Sequence, residues 1–80
     1  MMTVRLQYFS HLKTLGGPDC LEVPEGTSVA QLLETAYAAA PRLRDWDRHL
    51  LVAIGEAYAG RNAVLRANDL VSLMPPVQGG

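Results

Sequence analysis

From Ser28 the spacing of apolar residues changes from two to between three and four. Val29, Leu32, Leu33, Ala36 and Ala40 recur at the intervals of one face of an amphipathic helix. Ser28 and Gln31 fit a capping box at its start, and Pro41 marks its end, because the residue before a proline avoids helical angles. One helix with one apolar stripe must bury that stripe against something else. The rest of the 80-residue chain offers mainly short strands, so the layer solution is α+β: one sheet, covered on one face by one principal helix.

The strands are read from their alternation. In TVRLQYF, Val4, Leu6 and Tyr8 point one way and Arg5 and Gln7 the other. Phe9 falls on the polar side, which leaves two readings: the strand ends at Tyr8 and Phe9 turns inward, or a large aromatic stands on the wet face. SHLKTL has room for one or two helical turns before the turn signal Gly16-Gly17-Pro18-Asp19. CLEV then places Leu21 and Val23 on one side, and two early strands so joined suggest a hairpin.

After the helix, PRLRDWDRH interleaves Arg42, Arg44 and Arg48 with Asp45 and Asp47, the pattern of a solvated surface connection anchored by Leu43 and Trp46. Leu51 to Ile54 is a continuous apolar run suited to a central buried strand, and Ala57-Tyr58-Ala59 a short edge strand. Turns at Gly60 to Asn62 and Arg66 to Asp69 lead to LVSLM. There Val71 and Leu73 share one face, and Leu70, Ser72 and Met74 the other. No repeat or linker interrupts the chain, so residues 1–80 are expected to form one domain, with a globular body over 1–74 and a tail over 75–80.

The composition removes several classes of function. Seven Lys and Arg against eight Asp and Glu give a net charge of -1, too little basic surface for a nucleic-acid binder. Cys20, His11 and His49 are scattered without zinc-ligand spacing, so no metal site is expected. A lone cysteine at a strand start is expected to be a small buried hydrophobe, and the two histidines to sit at the surface or at helix ends. Arg5 interrupts any signal-peptide run, and no stretch approaches the roughly 20 apolar residues of a membrane span, so the expected location is cytoplasmic. Paired carboxylates, a nucleophile with its base, and a phosphate-cradling glycine loop are all missing.

That leaves the ending, LMPPVQGG. Pro75 and Pro76 have no N–H with which to continue a ladder, and they stiffen the exit from the last strand. Val77 and Gln78 lead to Gly79 and Gly80, whose missing side chains let a partner's backbone close around them.

The order ββαββ, the stretches YFSHLKTLGG, VPEGTSVAQLL and RANDLVSL, and the ending MPPVQGG together resemble the small, sulfur-carrier subunit of molybdopterin synthase, a β-grasp, ubiquitin-like family. The resemblance covers essentially the whole chain. It implies a mixed sheet of four to five strands on one main helix, with a flexible Gly-Gly tail. It also implies that Gly80, with Gly79 before it, is the reactive end: its carboxylate is adenylated and converted to a thiocarboxylate. No tightly bound cofactor is implied, ATP being used by the activating partner and the sulfur being carried covalently on Gly80.

The implied partners are the synthase large subunit, in a heterotetramer of two small and two large subunits, a ubiquitin-activating-like adenylyltransferase, and a sulfurtransferase. The acceptor would be cyclic pyranopterin monophosphate, and the acid–base groups would belong to the large subunit. An apolar patch on the exposed side of the sheet meets the partner in this family, and the matching positions are Phe9, Tyr58 and Met74, continued by Pro75, Pro76, Val77 and Gln78. The chain departs from the family pattern in having methionine before the prolines, where an aromatic is common. Other readings are a β-grasp carrier for thiamine or transfer-RNA thiolation, a ubiquitin-like protein modifier, and a plain interaction domain.

Overall fold

The computed structural model describes residues 1–76, and in it the alternation of the first strand becomes a division between two faces of a sheet. Strand β1 (Met2–Tyr8) buries Met2, Val4, Leu6 and Tyr8 and turns Arg5 and Gln7 outward. A hairpin brings β2 (Cys20–Val23) antiparallel to it, with Arg5 opposite Cys20 and Met2 opposite Val23. Helix α1 (Val29–Ala39) follows, then β3 (Leu51–Ile54), β4 (Ala57–Tyr58) and β5 (Leu70–Met74).

The five strands lie in the order β2-β1-β5-β3-β4. The first and last strands of the chain are parallel neighbours at the centre, Leu6 beside Val71 and Tyr8 beside Leu73, while every other pairing is antiparallel. This is the β-grasp arrangement, and the sheet has five strands.

Helix α1 forms as its pattern requires. The Ser28 hydroxyl accepts from the Gln31 N–H at 3.2 Å, and the Gln31 side chain accepts from the Ser28 N–H at 3.0 Å, so two otherwise unpartnered donors are satisfied. Its stripe of Val29, Leu32, Leu33, Ala36 and Tyr37 closes over Val4, Leu6, Val52, Val71 and Leu73. At roughly 2 kcal/mol for each large side chain buried, that layer outweighs any single surface contact.

Two expectations are corrected. Residues Pro41–His49, read as a solvated surface connection, form a 3₁₀ helix with Pro41 in its first turn, while the expected anchors hold, Leu43 fully buried and Trp46 half-buried against the core. The charge pattern reported only its wet side. Cys20 is exposed rather than buried: β2 is an edge strand, and register puts Cys20 beside Arg5 on the face away from α1. His11 and His49 are at the surface, on the two 3₁₀ helices, as expected.

The longer 3₁₀ helix is clamped in place by Asp47. Its carboxylate accepts from the Tyr37 hydroxyl and, at 2.9 Å, from Arg61, which also donates to the Asp47 carbonyl at 2.6 Å. The Tyr37 hydroxyl, then burial acting in the opposite sense, then Arg61 set the Asp47 acidity, and the balance lowers it below the usual carboxylate range. A lowered folded-state pKa stabilises the fold above the unfolded value and is lost as pH falls through the folded one. Asp47→Asn is therefore expected to cost about 1 kcal/mol at neutral pH, since the site is partly exposed, and to flatten the acid limb of stability below about pH 4. Thermal melts of both proteins across that range measure it.

Candidate functional site

Register decides which side chains meet on the face of the sheet that α1 leaves open. Gln7 lies beside Ser72, Ser72 beside Ala53, and Ala53 beside Tyr58, so one row crosses four strands. The next row sets Met74 beside Leu51, and Phe9 reaches the same end of the sheet, its N–H donating to the Leu73 carbonyl at 3.1 Å. The open face thereby splits. Thr3, Arg5, Gln7, Cys20 and Glu22 make the β2–β1 half polar, whereas Leu51, Ala53, Tyr58 and Met74 make the β5–β3–β4 half apolar.

Both open readings of Phe9 are partly right. The strand does end at Tyr8, but Phe9 keeps an extended backbone and stays outward, 39% exposed. Tyr58, on the two-residue edge strand, is 74% exposed. Met74 is half-buried. With Gly55 and Glu56, these three rim a concavity of about 240 Å³ whose floor is Ala53 and Ser72. The structure thus brings together Phe9, Tyr58 and Met74, three positions far apart in sequence. Exposed apolar side chains gathered around a hollow are the usual form of a partner site.

Ala53 and Ser72 were missed as site residues. They are small, and a small residue at the centre of a row of larger ones makes the hollow. The alternation of LVSLM does put Ser72 on this face, but nothing local pairs it with Ala53. Ser72 is also satisfied without a ligand, its hydroxyl donating to the Gln7 side-chain oxygen at 3.3 Å.

Strand β5 runs into Pro75 and Pro76, both half-buried, at the rim of this apolar half. Val77, Gln78, Gly79 and Gly80 lie outside the described residues. Among the described residues no group of three His, Cys, Asp or Glu side chains is placed to hold a metal ion, and no helix is long and apolar enough to cross a membrane. The strongly perturbed groups are structural. Tyr8 is pushed up to about 12 by burial and then by Asp19, with its hydroxyl donating to the Pro18 carbonyl at 2.8 Å, and Tyr37 is raised by burial and Asp47. Neither faces the hollow.

Comparison with known proteins finds similar chains both by sequence and by fold. The ThiS family model matches residues 6–80. A molybdopterin synthase sulfur carrier subunit from Mycobacterium tuberculosis is 35% identical over 60 residues, covering 75% of this chain and 72% of that protein. Its counterpart from Arabidopsis thaliana is 25% identical over 79 residues, covering 96% and 82%. Among solved structures, a putative molybdopterin converting factor, subunit 1, from Pyrococcus furiosus superposes with a TM-score of 0.83 at 26% identity, covering 96% of this chain and all of that one.

Proposed function

The chain belongs to the ThiS family, and from that membership we propose that it is the sulfur-carrier subunit of a molybdopterin synthase, acting through the carboxylate of Gly80. The observation that carries this reading is the placement of Phe9, Tyr58 and Met74 around one hollow, whose Phe9–Met74 side lies at the end of the sheet from which Pro75 departs. A carrier needs a docking face and a reactive end that leaves from its rim, and little else. The names of the two curated relatives support the same assignment.

The chemistry divides one difficult transfer into two covalent steps. A carboxylate oxygen of Gly80 attacks the α-phosphorus of ATP in an activating enzyme, forming the acyl-adenylate and releasing pyrophosphate. Sulfur at the sulfide level then attacks the acyl carbon and expels AMP, leaving a thiocarboxylate. In the synthase that sulfur passes to the pterin precursor, water supplies the oxygen that regenerates the carboxylate, and two carriers in turn complete the dithiolene. The carrier contributes no acid or base. Its large-subunit partner holds the acceptor, and two of each subunit make the assembly.

The test is the intact mass of the chain after incubation with its adenylyltransferase, ATP and a sulfur donor. One oxygen-to-sulfur exchange is the expected result; an unchanged mass with active partners overturns the reading. Stable association with a thiazole synthase instead of a pterin-binding subunit would move the chain to the thiamine branch of the same family.

The docking face has its own test. Phe9→Asp and Met74→Asp are each expected to weaken binding to the large subunit by about tenfold or more, because a charge would be desolvated against an apolar partner. Phe9→Asp should shift the unfolding transition little, since Phe9 stands outside the core. Titration calorimetry beside thermal melts separates the two effects, and a large stability loss for Phe9→Asp would make it a core residue instead.

A further inference from the structure

Beside the tail exit lies a second concavity, about 290 Å³, lined by Ser10, His11, Trp46, Pro75 and Pro76. It shares no residue with the hollow around Ala53 and Ser72. Three segments distant in sequence build it. Trp46 comes from the longer 3₁₀ helix and packs, half-buried, against the core. His11 comes from the shorter one, and the two rings stand with centroids 4.4 Å apart and planes inclined at 57°. The prolines come from the end of β5.

Ser10 supplies an independent mark. Its φ is +58°, in the left-handed region that a β-carbon disfavours. A residue is held there only where its surroundings over-determine it, and such places concentrate at functional sites. Here it turns the chain off the line of β1 and into the 3₁₀ helix that carries His11.

We propose that the His11–Trp46 pair is a shelf that sets the direction in which Pro75 and Pro76 leave the body, and so the path along which residues 77–80 are offered to the enzymes that act on Gly80. The proposal rests on the sulfur-carrier reading and adds two positioning residues to it. Two successive prolines have fixed φ and behave as a short rod, whose direction is set at its base. Flat aromatic rings lining the same concavity offer that base a surface to which proline rings are suited. Four further residues reach at most about 14 Å, so a 30° error at the base moves the reactive end by about 7 Å. Displacements far smaller than that are costly to a positioned reaction. His11 and Trp46 act through the prolines and take no part in the chemistry.

The experiment uses the full chain and the variants His11→Ala, Trp46→Phe and the double variant His11→Ala/Trp46→Ala. In the free protein, nuclear Overhauser contacts between the Trp46 indole and the rings of Pro75 and Pro76 are expected, together with faster amide motion at Val77 once the shelf is removed. In adenylation assays the double variant is expected to lose about tenfold in kcat with KM changed less than about twofold, since docking of the body is left intact. Trp46→Phe, which keeps a ring, should retain most of the rate. Should Trp46→Ala loosen the 3₁₀ helix, His11→Ala carries the test alone, because that side chain is exposed. Absence of the ring–proline contacts in the native chain, or variants with unaltered Val77 motion and unaltered kcat, overturns the proposal. If the contacts and their loss are seen but the native chain is never adenylated, the shelf stands and the sulfur-carrier reading falls.

Discussion

Deleting Gly80 is expected to abolish thiocarboxylate formation while leaving the unfolding transition where it was. On the sulfur-carrier reading the terminal carboxylate must reach the activating enzyme's reacting atoms, and one residue fewer shortens the chain's reach by up to about 3.5 Å. Misplacement by about 1 Å can already cost a hundredfold in a positioned reaction, so transfer should fall by at least about that factor, below the detection of an intact-mass assay. The buried core runs from Met2 to Leu73, so its stability has no stake in the last residue. A side chain at the end is expected to do similar damage by a different route: Gly79→Val keeps the length but meets the walls of any channel closed over bare backbone. Unimpaired function of the shortened chain would remove the case for terminal chemistry and leave an interaction domain. Gly-Gly remnants on lysines of other proteins would instead mark a modifier.

Among the described glycines, Gly17 is where an added methyl is expected to do the most damage, as Gly17→Ala. A β-carbon at Gly17 would stand 2.8 Å from Tyr8 Cε1, with the ring's Cζ and hydroxyl oxygen closer still. The ring cannot easily give way. Tyr8 is 9% exposed on a central strand, and its hydroxyl is tied to the Pro18 carbonyl next door. Overpacking of that kind, with the hydrogen bond put at risk, should cost about 3 kcal/mol and lower the melting temperature by roughly 10–20 °C. Gly16→Ala provides the contrast. Space there is open, but φ is +81°, so only the backbone penalty of about 1 kcal/mol is expected. Equal effects at the two glycines would mean that the Tyr8 contact is unimportant and that both residues merely serve a turn.

The pair Gly16-Gly17 shows how far the sequence could be read. As letters the two glycines are one turn signal; in the fold one answers a backbone angle and the other a tyrosine ring that belongs to β1. Helix α1, its capping box, the β1–β2 hairpin and the two faces of LVSLM were all legible, because each depends on neighbours within a few residues. The 3₁₀ helix over Pro41–His49 was not. Its charges alternate as a solvated loop's would, and beside the legible anchors Leu43 and Trp46 its clamp comes from Tyr37 and Arg61, ten and fourteen residues from Asp47. Cys20 misled because burial of a strand residue depends on which strand is the edge.

The candidate site divides in the same way. Phe9 and Met74 could be placed apart from the core positions by alternation, and the family resemblance added Tyr58. The hollow they surround depends on Ala53 and Ser72 lying side by side, and the tail shelf on His11 meeting Trp46. By itself the sequence determined the period of each segment, and therefore which side chains share a face, since the repeat of two or of 3.6 residues is a property of local backbone angles. Only the tertiary structure decided which faces became neighbours: the first and last strands pair in parallel at the centre, and that contact spans sixty-five residues that no local pattern connects.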